Sequence, residues 1–198
     1  MAVAEREIIV KDMEAQPFRV TREQYYSLAD MGWFLDKRVE RIEGVIVEMP
    51  PMSRPHRTTV ILVTQALQKA FSKGYFIAAQ VSLEIGEFHD PEPDIAVFSG
   101  DIRDYSDAPL DSALLVVEVS ITTLGYDRNH KAAIYALAGI EEYWIINVEQ
   151  QQVEVYRAPK PQSRGGSRYS DINSYGIGDF VTPLAAQEVL IAVTDLLP

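Results

Sequence analysis

No cysteine occurs among the 198 residues. That absence excludes disulfides, thiolate zinc sites and cysteine nucleophiles. Any metal must then be held by oxygen or imidazole, a donor set that favours Mg²⁺ or Mn²⁺. Long apolar runs are missing too, and none approaches the roughly 20 residues that span a bilayer. The first residues, M-A-V-A-E-R-E-I-I-V-K-D, are too charged for a signal peptide, and the expected location is the cytoplasm. Positive charge is scarce, with 18 Lys and Arg against 29 Asp and Glu and a net charge of −11. Gripping nucleic acid over a whole surface requires Lys and Arg to neutralise phosphates, so that class is disfavoured. An enzyme that meets nucleic acid at one cleft is still allowed. No Ser-His-Asp order and no glycine-rich phosphate loop occurs, and His89 and His130 lack metal-ligand spacing.

What is present is enough apolar material for one core. With 47% hydrophobic residues, no repeat and no linker, residues 1–198 read as a single domain. Residues 1–19 lack a period and read as an N-terminal arm or edge strand. Thr21-Arg22-Glu23-Gln24 fits a capping box, opening a helix that carries Tyr25, Leu28 and Ala29 and stops at Gly32. Residues 38–49 predict a hairpin turning at Glu43-Gly44 and ended by Pro50-Pro51. Val60, Val63, Leu67 and Phe71 recur at helical spacing and predict a long helix closed by Lys73-Gly74. Tyr75 to Ile85 reads as a strand, as do the apolar runs at Asp94 and Glu118, the last two separated by a polar loop at 99–112. Asp127 to Ala138 predicts a helix, Glu142 to Val148 and Val153 to Tyr156 a hairpin, and Val189 to Leu197 a final strand. The segment 157–170 contains Arg157, Lys160, Arg164 and Arg168 and no acid, and reads as a mobile basic loop. This order indicates an α/β fold, a mixed β-sheet flanked by helices with extra β-hairpins.

Two acids stand where a buried strand should have none. Asp94 opens D-I-A-V-F, and Glu118 interrupts L-L-V-V-E-V-S. An unpaired buried carboxylate costs roughly several kcal/mol, so such acids are usually paired or metal-bound. If the two strands are neighbours, the carboxylates converge at one sheet end. There they compete for one proton unless a divalent cation neutralises them. Lys131 follows on the next helix, and its long stem can bring an ammonium to the same place. Two carboxylates and a lysine suit phosphodiester hydrolysis, with a cation activating water and the ammonium stabilising developing charge. The plainer reading makes the acids structural hydrogen-bonders and puts Lys131 on a solvated helix face. Tyr126, Tyr135 and Trp144 read as packing, and Arg128 as a partner of Asp127 or of a phosphate.

The block P-E-P-D-I-A-V, followed by L-L-V-V-E-V-S-x-T-T-L-x-Y-D-R-x-x-K-x-x-x-Y-A-x-A-G-I-x-E-Y-W-I-I, resembles the Uma-type putative endonuclease family. This large bacterial family, long known as a domain of unknown function, belongs to the PD-(D/E)XK restriction-endonuclease-like superfamily. The resemblance extends upstream to V-E-R-I-E-G-V-I-V-E-M-P-P-M-S-x-x-H and downstream to V-E-V-Y-R-x-P and a closing D-L-L-P. It implies a restriction-endonuclease-like fold in which Asp94 matches the Asp of the PD element and Glu118 the acid of the (D/E)XK element, both as metal ligands. Ser120 stands where the superfamily has lysine, and Lys131 takes that part from the helix. Glu40 matches a family glutamate, as a further acidic ligand or base or as a strand-face ion pair. His56 matches the histidine that opens the long helix, as a phosphate or water contact or as a helix cap. Ile121 departs from the acid or proline found in relatives.

Two functions from different classes follow. The first is a Mg²⁺-dependent endonuclease, with Mn²⁺ substituting, that hydrolyses phosphodiester bonds of nucleic acid, DNA before RNA, by metal-activated water. Such enzymes commonly act as homodimers, and no membrane partner is implied. The second is a catalytically inactive binding or scaffolding module of a mobile-element or defence complex, which the net charge and Ile121 favour.

Overall fold

The protein is described by a computed structural model covering residues 17–163 and 165–198. The expected N-terminal arm therefore lies outside the described residues, apart from residues 17–19. The chain separates into two compact units, Met1–Pro50 with Gly86–Asp90 and Pro51–Ile85 with Pro91–Pro198.

In the first unit, α1 (Arg22–Asp30) opens on Thr21, whose side chain accepts from the Gln24 amide while the Gln24 side chain accepts from Thr21. This is the capping box read from the sequence, and Gly32, at φ 82°, ends the helix as expected. The hairpin of β1 (Val39–Ile42) and β2 (Val45–Glu48) turns at Glu43-Gly44, both with positive φ. A two-residue turn of this kind needs φ above zero at both positions, which Gly44 adopts without strain. Asp90 is buried between two arginines, accepting from Arg22 Nε at 2.8 Å and from Arg41 Nε at 2.6 Å. Glu40 lies fully buried on β1.

The second unit is built on a six-stranded mixed sheet of order β3 (Tyr75–Ala78), β4 (Ile95–Ser99), β5 (Leu115–Ser120), β6 (Glu142–Asn147), β7 (Gln152–Pro161) and β8 (Ser167–Gly176). Every pairing is antiparallel except β5 with β6. A parallel pair needs a long crossover, and here it carries the helical segment between Leu124 and Leu137. The stripe Val60, Val63, Leu67 and Ala70 of α2 (Arg54–Ala70) packs with Ile95, Val97, Val117, Trp144, Ile146 and Val155 in one core. Alternation along the strands sends their other residues to the opposite face, where α3 (Ala132–Leu137) packs on β7 and β8. That face is lined by Tyr143, Tyr156 and Tyr169, whose rings lie 5.4–6.1 Å apart. A short pair, β9 (Phe180–Val181) with β10 (Ile191–Ala192), completes the elements.

Three expectations are corrected. The strand at Tyr75 ends at Ala78, not Ile85, because Gln80 takes a positive φ of 55° and the chain then pairs irregularly with Pro91 and Pro93. The C-terminal run is strand only at Ile191–Ala192; Val193–Leu196 form a 3₁₀ turn that buries Val193 and Leu196 in the core. Most of the segment 157–170, expected as a mobile loop, is strand. Residues 157–161 extend β7 and residues 167–170 begin β8, with Arg157 opposite Asp171 and Lys160 opposite Arg168, while Arg164 lies outside the described residues. The ladder satisfies the backbone, and the buried Tyr169 anchors the second strand by donating to the Ile140 carbonyl at 2.8 Å. Arg157 is tied down as well, bonded to the buried Glu142.

Candidate active site

On β5, Val117 and Val119 enter the core beneath α2, so the period of two turns Val116, Glu118 and Ser120 to the other face. Both faces of the strand are covered, which is why L-L-V-V-E-V-S shows no polar side in the sequence. β4 and β5 are neighbours with Ile95 opposite Val117, placing Asp94 beside Glu118 at one end of the sheet. Each acid there replaces a ladder partner of the other strand. The Asp94 amide donates to Glu118 Oε2 at 3.2 Å, and the Val119 amide donates to Asp94 Oδ2 at 2.9 Å. Both acids are buried.

Two further elements close the site. Ser53 caps α2 by accepting from the His56 amide, which fixes the first turn and sends the His56 imidazole toward the sheet. Its Nε2 lies 3.0 Å from Asp94 Oδ2, while the buried Nδ1 has no hydrogen-bond partner among the described residues. From the crossover, Lys131 Nζ lies 3.3 Å from Glu118 Oε1, and the Tyr135 hydroxyl donates to the same oxygen at 2.6 Å. Lys131 is 2% exposed, so it is no solvated helix residue. Tyr135, expected only to pack, holds the candidate acid.

The crossover is not the plain helix expected from Asp127 to Ala138. A single α-turn, Leu124–Tyr126, leads into a π-helical turn, Asp127–Lys131, before α3 begins. π turns are rare and cluster at functional sites because they re-aim side chains within a helix. Here the turn buries Asp127 and Lys131 and leaves Arg128, Asn129 and His130 outside. Asp127 stands four residues before Lys131, a spacing that sets both on one helical face and is its signal in the sequence. Its Oδ2 accepts from the Thr123 hydroxyl at 2.7 Å. Burial raises its pKa against the opposing pull of the Thr123 and Ser120 hydroxyls and of Lys131, while the charge of Asp94 raises it further. Ser120 itself is buried, 3.5 Å from the Thr123 hydroxyl, and the ammonium reaches Glu118 from the helix.

Arg128 pairs with Glu154 on β7 and not with Asp127. Its Nε and Nη2 donate to the two oxygens of Glu154 on β7 at 2.9 and 2.7 Å. Burial pushes the Glu154 carboxyl up, but Arg128, the Tyr156 hydroxyl and the Asn147 amide together hold it below its usual value. The sequence residues Asp94, Glu118, Lys131 and His56 are thus brought together within the second unit, whereas Glu40 belongs to the first.

A Mg²⁺ ion commonly takes one or two protein carboxylates, and water and substrate phosphates complete its shell. Among the described residues no three His, Asp or Glu side chains are grouped to hold a metal, so a closed protein cage is not present. A donor set of two carboxylates, Asp94 and Glu118, fits an open ion of the first kind. Among the described residues, the buried Asp127 lies four residues from Lys131, and the charge of Asp94 acts on its carboxyl.

Residues 22–185 match the model of the Uma2 family, described as "putative restriction endonuclease". Among solved structures, the chain is similar to a protein of Anabaena variabilis described as a putative nuclease belonging to DUF820. The two are 20% identical, with a TM-score of 0.67 over 89% of this chain and 97% of the other. That likeness shows a shared α/β fold across nearly the whole chain. No curated protein matches.

Proposed function

Because the chain belongs to the Uma2 family, we propose that its site hydrolyses phosphodiester bonds within nucleic acid, DNA before RNA, with Mg²⁺ or Mn²⁺ as cofactor. The observation that carries this reading is the buried convergence of Asp94, Glu118 and Lys131 at one sheet end. Asp94 and Glu118 would hold the cation, which when bound polarises a phosphoryl oxygen and eases deprotonation of water. Lys131, fixed by Glu118, would present an ammonium where negative charge develops on the phosphate. Tyr135 and the Asp94 amide keep the Glu118 carboxylate in one orientation, so little reorganisation accompanies the reaction. His56, facing Asp94, would orient that carboxylate and contact water or phosphate. A homodimer would place one such site at each strand of a duplex.

The test is Mn²⁺ titration under thermal unfolding of the wild type, Asp94→Asn and Glu118→Gln, followed by incubation with supercoiled plasmid and with RNA. A ligand that binds only the folded state raises the melting temperature. Stabilisation of the wild type alone, with metal-dependent nicking lost in both variants, supports the nuclease. An equal response of all three proteins, or none, with uncut substrates, supports the inactive binding module that the net charge of −11 suits.

A further inference from the structure

The π turn is fastened to three adjacent strands. At its end, Lys131 meets Glu118 on β5. At its start, the Tyr143 hydroxyl on β6 donates to the Asp127 carbonyl at 3.3 Å. Between them, Arg128 forms a two-pronged pair with Glu154 on β7. Glu118 and Glu154 face the same side of the sheet, each opposite Ile145 on the strand between them. We infer that the Arg128–Glu154 pair is a positioning device, which holds the π turn across β6 and so keeps the Lys131 ammonium on Glu118.

Three observations support this. A π turn carries one residue more than the α-helix around it, and its hydrogen bonding is poorer, so it persists only where surrounding contacts over-determine it. Arg128 is the first residue after Asp127 and lies three before Lys131, so a shift of the turn toward α geometry moves both side chains together. Glu154 is too well held to follow such a shift. It is 3% exposed, and its oxygens also accept from Tyr156 at 3.0 Å and Asn147 at 3.3 Å. A guanidinium bound through two nitrogens fixes direction as well as distance, which a point charge does not. The anchor is therefore rigid on the sheet side and directional on the helix side.

The inference rests on the nuclease reading for the use made of Lys131, but its test needs no substrate. Acetylation of each lysine in the full chain is followed by mass spectrometry at a temperature well below melting, with the exposed Lys69 and Lys160 as internal references. Wild-type Lys131 reacts far more slowly than the references. In Arg128→Gln its rate rises several-fold while those of Lys69 and Lys160 stay constant, and Arg128→Lys falls between. The double variant Arg128→Gln/Glu154→Gln leaves no buried charge unpaired and serves if the single variant does not fold. Unchanged Lys131 protection in either folded variant overturns the inference and makes the pair a structural tie only. A cleavage assay adds a second reading: kcat falls in Arg128→Gln with KM nearly unchanged, and equal kcat also overturns the inference. Failure of the wild type to cleave any nucleic acid counts against the nuclease reading, and the labelling rates then decide the positioning role alone.

Discussion

Asp94 and Glu118 are joined through the main chain: the Asp94 amide donates to Glu118 Oε2 at 3.2 Å, one strand position from where the Val119 amide donates to Asp94 Oδ2. Each carboxylate thereby has a backbone donor without the other acid's proton. Asp94→Asn keeps an acceptor for Val119 but loses its charge. Removing that charge relieves the repulsion between the two acids, so the melting temperature in metal-free buffer is expected to rise. A lower melting temperature would instead mark Asp94 as a satisfied structural acid and count against the metal-ligand reading.

Lys131 and Glu118 form a buried pair, so removing one partner leaves the other uncompensated. Lys131→Met should cost about 3 kcal/mol by urea unfolding, and Lys131→Met/Glu118→Gln should recover part of that loss. Full additivity of the two single changes would show that the groups are not coupled.

Asp127 is an acid whose pKa is raised in the fold, chiefly by burial. Such a group favours the folded state most below its ordinary value of 3.8 and loses that contribution as pH rises through the raised value. Asp127→Asn keeps an acceptor for Thr123 and should therefore stabilise the protein at neutral pH. The gain should vanish below about pH 4, where the wild-type carboxyl is protonated too. Glu154 has the opposite sign: its carboxyl is held low, so it stabilises above its ordinary range, and that contribution is lost in acid. Glu154→Gln should flatten the acid limb of stability, which Asp127→Asn should steepen. Chemical denaturation between pH 3 and pH 7 checks both.

In the first unit, Asp90 accepts from Arg22 and Arg41, and the side chains of Asp90 and Arg41 are fully buried. Asp90→Ala leaves the Arg41 guanidinium without its carboxylate and should destabilise that unit by about 3 to 5 kcal/mol. Hydrogen exchange across residues 19–48 should report the loss, and protection at the level of the wild type would refute it.

Much of the framework was legible because local rules governed it. The Thr21 capping box, the Glu43-Gly44 turn and the apolar stripe of α2 are each set by residues within a few positions of one another. Segments that depend on distant partners were not. Arg157 and Tyr169 look like loop residues until Glu142 and the Ile140 carbonyl are in place to bind them. The strand expected through Ile85 stops early because its continuation pairs irregularly with Pro91 and Pro93, which no period in the segment itself announces.

The sequence by itself determined which acids were out of place, since Asp94 and Glu118 interrupt apolar strands and burial makes an acid there costly without partners. Only the tertiary structure decided what those partners are. The identity of the Glu118 neighbours depends on β4 lying beside β5, on a π turn between β5 and β6, and on Tyr135 one turn beyond Lys131. It also decided that Arg128 pairs with Glu154, because that acid is brought beside the π turn only when β7 pairs with β6 in the sheet. Residue identity sets the cost of burying a charge; the fold sets which opposite charge or hydrogen-bond donor stands close enough to offset it.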